Sequence, residues 1–350
     1  MKLATLRKSG KSADRDGTLL LVNPDLTRAV EASGIAPTLQ FALEHWHDVE
    51  RALLDAYESL QCGNERHAFD FQDALGTGRI AAPLPRTYQW LDGSAYLSHV
   101  ERVRRARNDK VPESFYSDPL MYQGGADAML GPRDPVRVLS EDWGVDLEGE
   151  VAAITGDVPM GASAAQASQC VRLLVLVNDV SYRKLIPAEL AKGFGFVNGK
   201  GWNTLSPVAV TPDELGSAWD GGKVHLRLVC HVRDEWFGNP DAGDDMTFSL
   251  YDLIAHAAKT RELGAGTLIG SGTVSNHDAS AGYACIMEKR LVEQVEQGAA
   301  KTEFLKFGER VTIEMFDHHG KTIFGSIDQT VQRAGDKSAI MDAIAETTKA

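Results

Sequence analysis

The stretch VDLEGEVAAITG, residues 145–156, constrains this chain most, because acids on alternate positions run directly into an apolar segment. Side chains two positions apart point the same way on a strand but diverge by roughly 200° on a helix. The β-branched, apolar continuation favours a strand, on which Asp146, Glu148 and Glu150 alternate and the two glutamates share a face. Like charges about 7 Å apart by strand rise repel each other, and a divalent cation is one way to relieve the repulsion. A solvent-facing acidic edge is the alternative for such a pair taken alone.

A second acid follows a run with the pattern of a strand that is buried on both faces. The segment RLLVLVNDVS is continuously apolar until Asn178 and Asp179. An unpaired carboxylate beside a buried strand is costly, so Asp179 needs a cation or several donors as partners, unless it is a turn aspartate that caps the next segment. Three or four oxygen ligands of this kind indicate a hard cation, Mg²⁺, Ca²⁺ or Mn²⁺, and not zinc.

The composition excludes several classes of protein. The chain of 350 residues is long enough for about two domains, and its 43% hydrophobic and 24% charged residues are ordinary for a globular protein. Its net charge of -13 argues against nucleic-acid binding. No run approaches the roughly 18 apolar residues that span a bilayer, and the first residues have no signal-peptide core. We therefore expect no membrane partner and a cytoplasmic location.

The pattern along the chain predicts an α+β fold that is mostly β. A helical stripe in the first part predicts one packing helix, and a Gly/Pro-rich connection at 76–86 marks a boundary. We therefore predict a small N-terminal domain at 1–82, a large domain at 83–335 and a C-terminal tail at 336–350. A further helix is predicted to open at Ser94 as its N-cap. The large domain shows mostly strand patterns, without regular alternation of strands and helices. The helical stripe consists of Leu39, Leu43, Trp46, Val49 and Leu53.

Five segments, taken in order, resemble the fumarylacetoacetate hydrolase family. They are LEGE, VNDVSYR, NGKGWNTLSP, GSGTVSN and CIMEK, and the similarity spans roughly residues 84–328. The resemblance implies a mixed β-roll large domain with an acidic metal site, preceded by a small N-terminal domain, and a homodimer.

The resemblance also implies the metal ligands and the catalytic base. It makes Glu148, Glu150 and Asp179 metal ligands, with Asp92 as a fourth acid. His99, seven residues after Asp92, matches the catalytic histidine. Seven residues make about two helical turns, so Asp92 and His99 could lie on nearly the same helical stripe. Taken alone, His99 is more readily interpreted as a surface histidine on a helix.

Further site residues follow from the same resemblance. Lys200 and Thr204 match the family's lysine and threonine near the metal, and Glu288 looks like the acid that orients the catalytic histidine. Read alone, a lysine in a Gly-rich loop is usually solvated, and an arginine after a turn usually makes a surface pair. The implied substrate-binding residues are Tyr122, Arg183, Gly272 and Thr273. The last two would donate backbone and hydroxyl groups to a carboxylate.

The sequence departs from the fumarylacetoacetate enzyme at positions that contact its substrate. That enzyme has a glutamine three residues after the arginine, where this chain has Ile186. It reads His-Gly-Arg after the tyrosine, where this chain has Gln123, Gly124 and Gly125. We therefore expect one end of the pocket to be less polar or roomier than in that enzyme.

The resemblance predicts a metal-dependent hydrolase that cleaves a carbon–carbon bond in a 1,3-diketo acid, fumarylacetoacetate or a related acylpyruvate, in aromatic-compound or tyrosine catabolism. A divalent cation would polarise a substrate carbonyl, and His99, oriented by Glu288, would take a proton from the attacking water. A 2-oxo acid decarboxylase or hydratase on the same scaffold is the alternative. A non-catalytic, metal-stabilised binding protein is a third reading. Neither nucleotide-binding Gly motif is complete in the sequence.

Overall fold

A computed structural model of the protein describes residues 1–8, 14–106 and 110–335, and the predicted tail at 336–350 lies outside them. Within the described residues the α-helices are α1 (Leu39–Glu44), α2 (Trp46–Gln61), α3 (Phe71–Gly76), α4 (Leu97–Ala106), α5 (Ala164–Ala167), α6 (Ile186–Leu190), α7 (Leu250–Ala257) and α8 (Ile286–Gln297). Short 3-10 helices occupy Glu113–Tyr116, Glu141–Trp143, Pro212–Ala218 and Ala279–Ala281. None of the helices in the described ranges has the length and apolarity that crossing a membrane requires.

Two helix predictions differ from the structure in their bounds. The single predicted packing helix is divided into α1 and α2 by His45, whose φ of -118° and ψ of 28° are not helical. The five residues of the predicted stripe are nevertheless all buried. The other helix, α4, begins at Leu97 instead of directly after Ser94. Its start is delayed because the backbone of Ser94, Ala95 and Tyr96 is bonded to other segments, at Leu120, Ser271 and Met246.

Within the described part of the chain, the strands form two large sheets and two small ones. The long sheet contains β1 (Lys2–Leu6), β2 (Thr18–Val22), β3 (Arg28–Glu31), β4 (Phe69–Asp70), β5 (Ile80–Ala81), β6 (Trp90–Gly93), β7 (Met121–Gly124), β10 (Gly149–Thr155), β11 (Val171–Asn178), β13 (Thr204–Leu205), β14 (Ala209–Val210) and β19 (Leu268–Gly270). The second sheet contains β8 (Val136–Val138), β17 (Leu228–Val232), β18 (Glu235–Gly238), β20 (Arg310–Met315) and β21 (Ile327–Arg333). The small sheets pair β9 (Val145–Asp146) with β12 (Ser181–Tyr182) and β15 (Trp219–Asp220) with β16 (Lys223–Val224).

Both large sheets are mixed. The long sheet runs in the order β4-β3-β2-β1-β14-β11-β10-β19-β6-β7, with β5 on β1 and β13 on β11. The second sheet runs β18-β17-β20-β21-β8. The pairs β19–β6 and β21–β8 are parallel, whereas the neighbouring pairs β10–β19 and β20–β21 are antiparallel.

The centre of the long sheet is buried on both faces, as the apolar runs predict. Val151 and Ala153 of β10 belong to the core that also contains the apolar residues of β17 and β20. Ala152 and Ile154, which alternate with them, belong to the core on the opposite face, together with Trp46 of α2. Successive side chains of a strand point to opposite faces, so β10 connects a sheet-on-sheet core with a helix-on-sheet core.

Strands from both sides of the predicted domain boundary share the long sheet. β1 pairs with β2 on one side and with β14 on the other, where Lys2 lies opposite Val210. The N-terminal segment therefore extends the sheet of the large domain while α1 and α2 cover one of its faces. The division at 82/83 stays a prediction.

Candidate active site

Four buried carboxylates meet where the long sheet brings three strand segments together. Asp92 lies in β6 and Glu150 in β10, on either side of β19, and Asp179 directly follows β11. Each of the four offers an oxygen within 4.8 Å of the others, and none is more than 6% exposed. We call this group the acidic cluster: Asp92, Glu148, Glu150 and Asp179. Asp92 reaches it from a strand, so the predicted helical stripe shared by Asp92 and His99 is wrong.

Gly270 in β19 leaves the space in which Asp92 and Glu150 meet. Its backbone lies between Ala152 of β10 and Asp92 of β6. A Cβ atom on this residue would lie 2.3 Å from the Trp90 ring, 2.6 Å from Asp92 Oδ1 and 2.9 Å from Glu150 Oε2. Any residue other than glycine would therefore displace these two carboxylates.

Unpaired oxygens in the acidic cluster fit a hard cation. Both carboxylate oxygens of Glu150 and the hydroxyl oxygen of Thr204 are buried without a hydrogen-bond partner among the described residues. Burial, together with the charge of Asp179, raises the pKa of Asp92. Burial and the charge of Asp92 likewise raise the pKa of Glu150. A divalent cation would supply the partner that these oxygens lack, and an all-oxygen set suits Mg²⁺, Ca²⁺ or Mn²⁺ better than zinc.

The other half of the cluster is paired with positive groups of the protein. Lys200 Nζ donates to Glu148 Oε2 and to Asp179 Oδ2, at 2.6 Å each. The Tyr122 hydroxyl donates to Asp179 Oδ2 at 2.6 Å. Although burial acts to raise it, the charges of Arg183 and Lys200 hold the pKa of Glu148 well below its usual range. Burial raises the pKa of Asp179 to about 6, with Lys200 opposing the shift and Glu148 adding to it.

Arg183 is held inside the protein by two carboxylates. Its Nε donates to Asp146 Oδ2 at 2.7 Å and its Nη2 to Glu148 Oε1 at 2.6 Å. Its side chain is only 10% exposed, so the surface-pair alternative is wrong. Asp146 also accepts hydrogen bonds from the N–H groups of Ile286 and Met287 at 2.7 and 2.9 Å. The predicted contact of Arg183 with substrate stays a prediction.

His99 is paired with a buried carboxylate, as a catalytic histidine requires. Its Nδ1 lies 2.7 Å from Glu288 Oε2, and Arg102 and Ser275 both donate to Glu288 Oε1. Burial acts to raise the pKa of Glu288, but His99 and Arg102 lower it. Because the ionised carboxylate only accepts, Nδ1 of His99 carries the proton and Nε2 is left as the base. The alternative of a solvated surface histidine is therefore wrong.

One backbone contact joins this pair to the acidic cluster. Glu148 forms an isolated β-bridge with Cys285, the residue directly before α8. Glu288 is the third residue of α8 and points its carboxylate at His99. The pair of His99 and Glu288 is thus linked to the cluster through the backbone of Glu148 and Cys285.

The predicted carboxylate-binding loop also lies against the cluster. The N–H of Gly272 donates to Asp92 Oδ1 at 3.0 Å, and Thr273 beside it is 6% exposed. Its role toward a substrate carboxylate stays a prediction. Asn203, which the sequence analysis did not single out, lies against Asp179. With its amide nitrogen facing that carboxylate, it donates to Asp179 Oδ1 at 2.7 Å.

A cavity of about 950 Å³ meets the site at Lys200, which forms part of its wall. Gly125, one of the departures from the fumarylacetoacetate enzyme, also lines it. The ring of Phe196 in this wall contacts the ring of Tyr122 edge to face, with 5.1 Å between centroids. The larger apolar residues of the wall are Leu130, Val136, Trp143, Tyr182, Leu185, Phe196, Val197 and Trp202, and its charged residues besides Lys200 are Arg7, Asp127, Asp134 and Arg137. The cavity is therefore a largely apolar space beside the charged centre.

Comparisons with known proteins agree with this architecture. Residues 89–332 match the family profile described as fumarylacetoacetate (FAA) hydrolase C-terminal, and residues 1–86 match fumarylacetoacetase N-terminal domain 2. A 2,4-didehydro-3-deoxy-L-rhamnonate hydrolase of Sphingomonas sp. (strain SKA58) is 29% identical over 160 residues, 45% of this chain and 53% of that protein. A mitochondrial oxaloacetate tautomerase of Xenopus laevis is 28% identical over 185 residues, 52% of this chain and 53% of that protein. The chain thus spans about half the length of these curated relatives.

Solved structures of the same fold cover nearly the whole chain. A maleylpyruvate hydrolase from Sphingobium sp. SYK-6 has a TM-score of 0.63 at 15% identity, over 95% of this chain and 100% of that chain. The same hydrolase in complex with manganese(II) ion and pyruvate has a TM-score of 0.62 at 15% identity, over 95% of this chain and 99% of that one. A fumarylacetoacetate hydrolase from psychrophilic Exiguobacterium antarcticum has a TM-score of 0.63 at 17% identity, over 95% and 99% of the two chains. These matches confirm the predicted α+β, mostly β fold with its mixed β-roll.

Proposed function

The chain belongs to the fumarylacetoacetate hydrolase family, and from that premise we propose that it is a cation-dependent hydrolase that cleaves a carbon–carbon bond of an acylpyruvate or of fumarylacetoacetate. The observation that carries the proposal is the pair of His99 and buried Glu288, joined to an acidic cluster that has unpaired oxygens. A protein that only bound a cation would have no use for an oriented base at that place.

The acidic cluster and Thr204 would hold the cation, which when bound supplies positive charge that polarises a substrate carbonyl. His99 Nε2 would take a proton from water as the water oxygen attacks the acyl carbonyl, and Glu288 would stabilise the imidazolium that results. The bond between the acyl carbon and the neighbouring CH₂ then breaks, and the proton from His99 goes to that carbon. One water is consumed. An acylpyruvate gives a carboxylic acid and pyruvate, and fumarylacetoacetate gives fumarate and acetoacetate.

The remaining groups would bind and orient the substrate. Lys200 and Tyr122 lie at the cluster, where their donors would offset the charge that develops on the substrate oxygen. Arg183 and the loop of Gly272 and Thr273 would interact with the substrate carboxylate. The cavity beside Lys200 would take the acyl end. Its apolar wall supports the expectation of broad tolerance at that end.

Product analysis tests the proposal. Purified protein with Mg²⁺ or Mn²⁺ is incubated with fumarylacetoacetate and a panel of acylpyruvates, and the acids released are identified by NMR. Pyruvate and the matching acid are expected from at least one acylpyruvate. The product should disappear in His99→Ala and persist in His47→Ala, an exposed histidine on α2. Absence of both fragments from every substrate would overturn the proposal.

Tautomerisation of oxaloacetate is a second candidate, because relatives from Xenopus laevis and Bacillus subtilis carry that description. The same base could move a proton between carbon and oxygen without cleavage of a bond. Loss of the enol absorbance of oxaloacetate without release of pyruvate would favour it. Release of CO₂ would indicate the decarboxylase alternative, and a hydrated product the hydratase.

Two further parts of the proposal come from the family resemblance: a homodimer, and a place in aromatic-compound or tyrosine catabolism. A cytoplasmic location is a third part, and it comes from the sequence pattern alone. The oligomer is tested by light scattering of the purified chain, in which a mass of one chain would contradict the dimer.

A further inference from the structure

The alternating acids contain a third carboxylate, Asp146, that the proposed function does not use. It lies in β9 opposite Ser181, outside the acidic cluster, and its side chain is 0% exposed. An ionised carboxylate withdrawn from water costs several kcal/mol unless donors surround it, by the general cost of burying charge. The donors around Asp146 therefore indicate what it does.

Three donors reach Asp146 from two different parts of the chain. Oδ1 accepts from the N–H of Ile286 at 2.7 Å, and Oδ2 accepts from the N–H of Met287 at 2.9 Å. These are the first two residues of α8, whose N–H groups have no partner inside the helix. Arg183 Nε donates to Oδ2 at 2.7 Å from the residue after β12. One carboxylate thus fixes the start of α8 to Arg183.

Each of these attachments leads to one half of the site. Arg183 continues through Nη2 to Glu148 Oε1 of the acidic cluster, at 2.6 Å. The start of α8 continues to Glu288, which holds His99 Nδ1 at 2.7 Å. A short path therefore runs from the cluster to His99 through charged hydrogen bonds and the backbone at the start of α8, with Asp146 at its centre.

We infer that Asp146 is a positioning residue that holds the pair of His99 and Glu288 in place relative to the acidic cluster. This inference rests on the proposed function. Among the described residues, the hydrogen-bond donors to the Asp146 side chain are Arg183, Ile286 and Met287, and not a residue of the cluster or His99. The charge of Asp146 also offsets part of the positive charge of Arg183, which would otherwise act more strongly against a cation at the cluster. Losing the charge of Asp146 should make His99 less effective as a base and lower the affinity of the cluster for a cation.

The test is Asp146→Asn, which keeps the size of the side chain and removes its charge. We expect kcat to fall about 10- to 100-fold with little change in KM, and Mn²⁺ affinity to fall about tenfold. Losses of this size are usual when a residue that orients a metal ligand is changed. Mn²⁺ binding is followed by electron paramagnetic resonance. A downfield proton resonance from His99 Nδ1–H is expected in the parent protein and should be lost in the variant.

The matched control is Glu293→Gln on the same helix. Glu293 accepts from the N–H groups of Lys301 and Thr302 at 2.6 and 2.8 Å and from the Thr302 hydroxyl at 2.5 Å. It is a comparably bonded carboxylate without a connection to Arg183. Glu293→Gln should therefore keep kcat, Mn²⁺ affinity and the downfield proton. Equal losses in both variants would reduce Asp146 to a helix-stabilising residue and overturn the inference.

A double-mutant cycle separates positioning from general support of the fold. If Asp146 acts through Glu288, Asp146→Asn should lower kcat much less in the Glu288→Gln background than in the parent. Additive losses would overturn the inference. If Asp146→Asn does not fold, Asp146→Glu replaces it, since the carboxylate is kept but displaced by one CH₂. Parent-like kcat in Asp146→Glu would contradict the inference. If no substrate is turned over, the proposed function fails, and Mn²⁺ affinity and the His99 resonance still decide on Asp146.

Discussion

Replacing Gly270 by alanine tests the geometry of the acidic cluster without removing any of its ligands. The added Cβ would lie 2.6 Å from Asp92 Oδ1, 2.9 Å from Glu150 Oε2 and 2.3 Å from the Trp90 ring. All three distances are shorter than van der Waals contact, so the strand or the three side chains must move. The variant should therefore both lose stability and bind a cation less tightly.

The two losses have different sizes and are measured separately. Inserting a methyl group into a close-packed interior usually costs about 1–3 kcal/mol. We expect that decrease in the free energy of unfolding by urea in the presence of EDTA. Changing a residue that positions metal ligands usually lowers metal affinity about 10- to 100-fold, which is roughly 1.4–2.8 kcal/mol of binding free energy. Titration with Mn²⁺ in a calorimeter measures this second loss directly.

Gly264→Ala is the control for the Gly270 variant. The two glycines lie in the same segment, but a Cβ on Gly264 would have Tyr88 Cδ2, at 4.0 Å, as its nearest neighbour. This variant should match the parent in both measurements. A folded Gly270→Ala protein with parent-like Mn²⁺ affinity would refute the argument, because Asp92 and Glu150 would then not need to meet beside β19 to hold a cation.

Four further predictions follow from the site. Glu150→Ala should lower the affinity for Mg²⁺ measured by calorimetry, and an unchanged affinity would remove this residue from the site. Chelation of the cation should abolish turnover reversibly. His99→Ala should lower kcat severely while its Mn²⁺ affinity stays near that of the parent protein, and a parent-like kcat in this variant would leave the histidine without a catalytic role. Glu288→Gln should shift the acidic limb of the pH–rate profile. The rise in Tm caused by Mn²⁺ should be larger at about pH 7.5 than at about pH 5.5. Cluster carboxyls with a raised pKa, such as Asp179 at about 6, keep protons at low pH, and a cation must displace these protons to bind. An equal rise in Tm at both pH values would contradict this prediction. Esterifying the substrate carboxylate should lower kcat/KM steeply, whereas changing the acyl group should alter it modestly, and equal turnover of acid and ester would exclude the assigned role of Thr273.

The sequence predicted those parts of the site that local pattern controls. The alternation of Glu148 and Glu150 and the apolar run before Asp179 follow from the period of two residues and from burial, and both place their acids in the cluster. The predicted strand is interrupted, however: Glu150 lies in β10, and Glu148 forms an isolated bridge directly before it. The same reasoning predicted the buried stripe of α1 and α2 but not the break at His45, since nothing in the apolar spacing marks it.

Long-range pairing decides what the sequence could not show. The seven-residue spacing of Asp92 and His99 suited a shared helical stripe, but β6 is held extended by its pairing with β19 and β7. Arg102 reaches Glu288 across 186 positions, and Gly270 acts through a space between neighbouring strands. A single sequence carries no local signal for such contacts.

Charge balance connects the cluster, its partners and the predicted pH dependence. If Asp146 and the four cluster carboxylates were all ionised, they would carry five negative charges, of which Arg183 and Lys200 offset two. Without a cation, three charges would stay uncompensated in a buried space, so burial raises the pKa of Asp92 and Glu150 and protons are retained there. The unfolded chain releases such protons at lower pH than the folded protein does. The unfolded state therefore binds fewer protons between the two pKa values, and the stability of the cation-free protein falls as the pH rises through that window. A divalent cation offsets two of the three charges, which is why its stabilising effect should grow in the same direction.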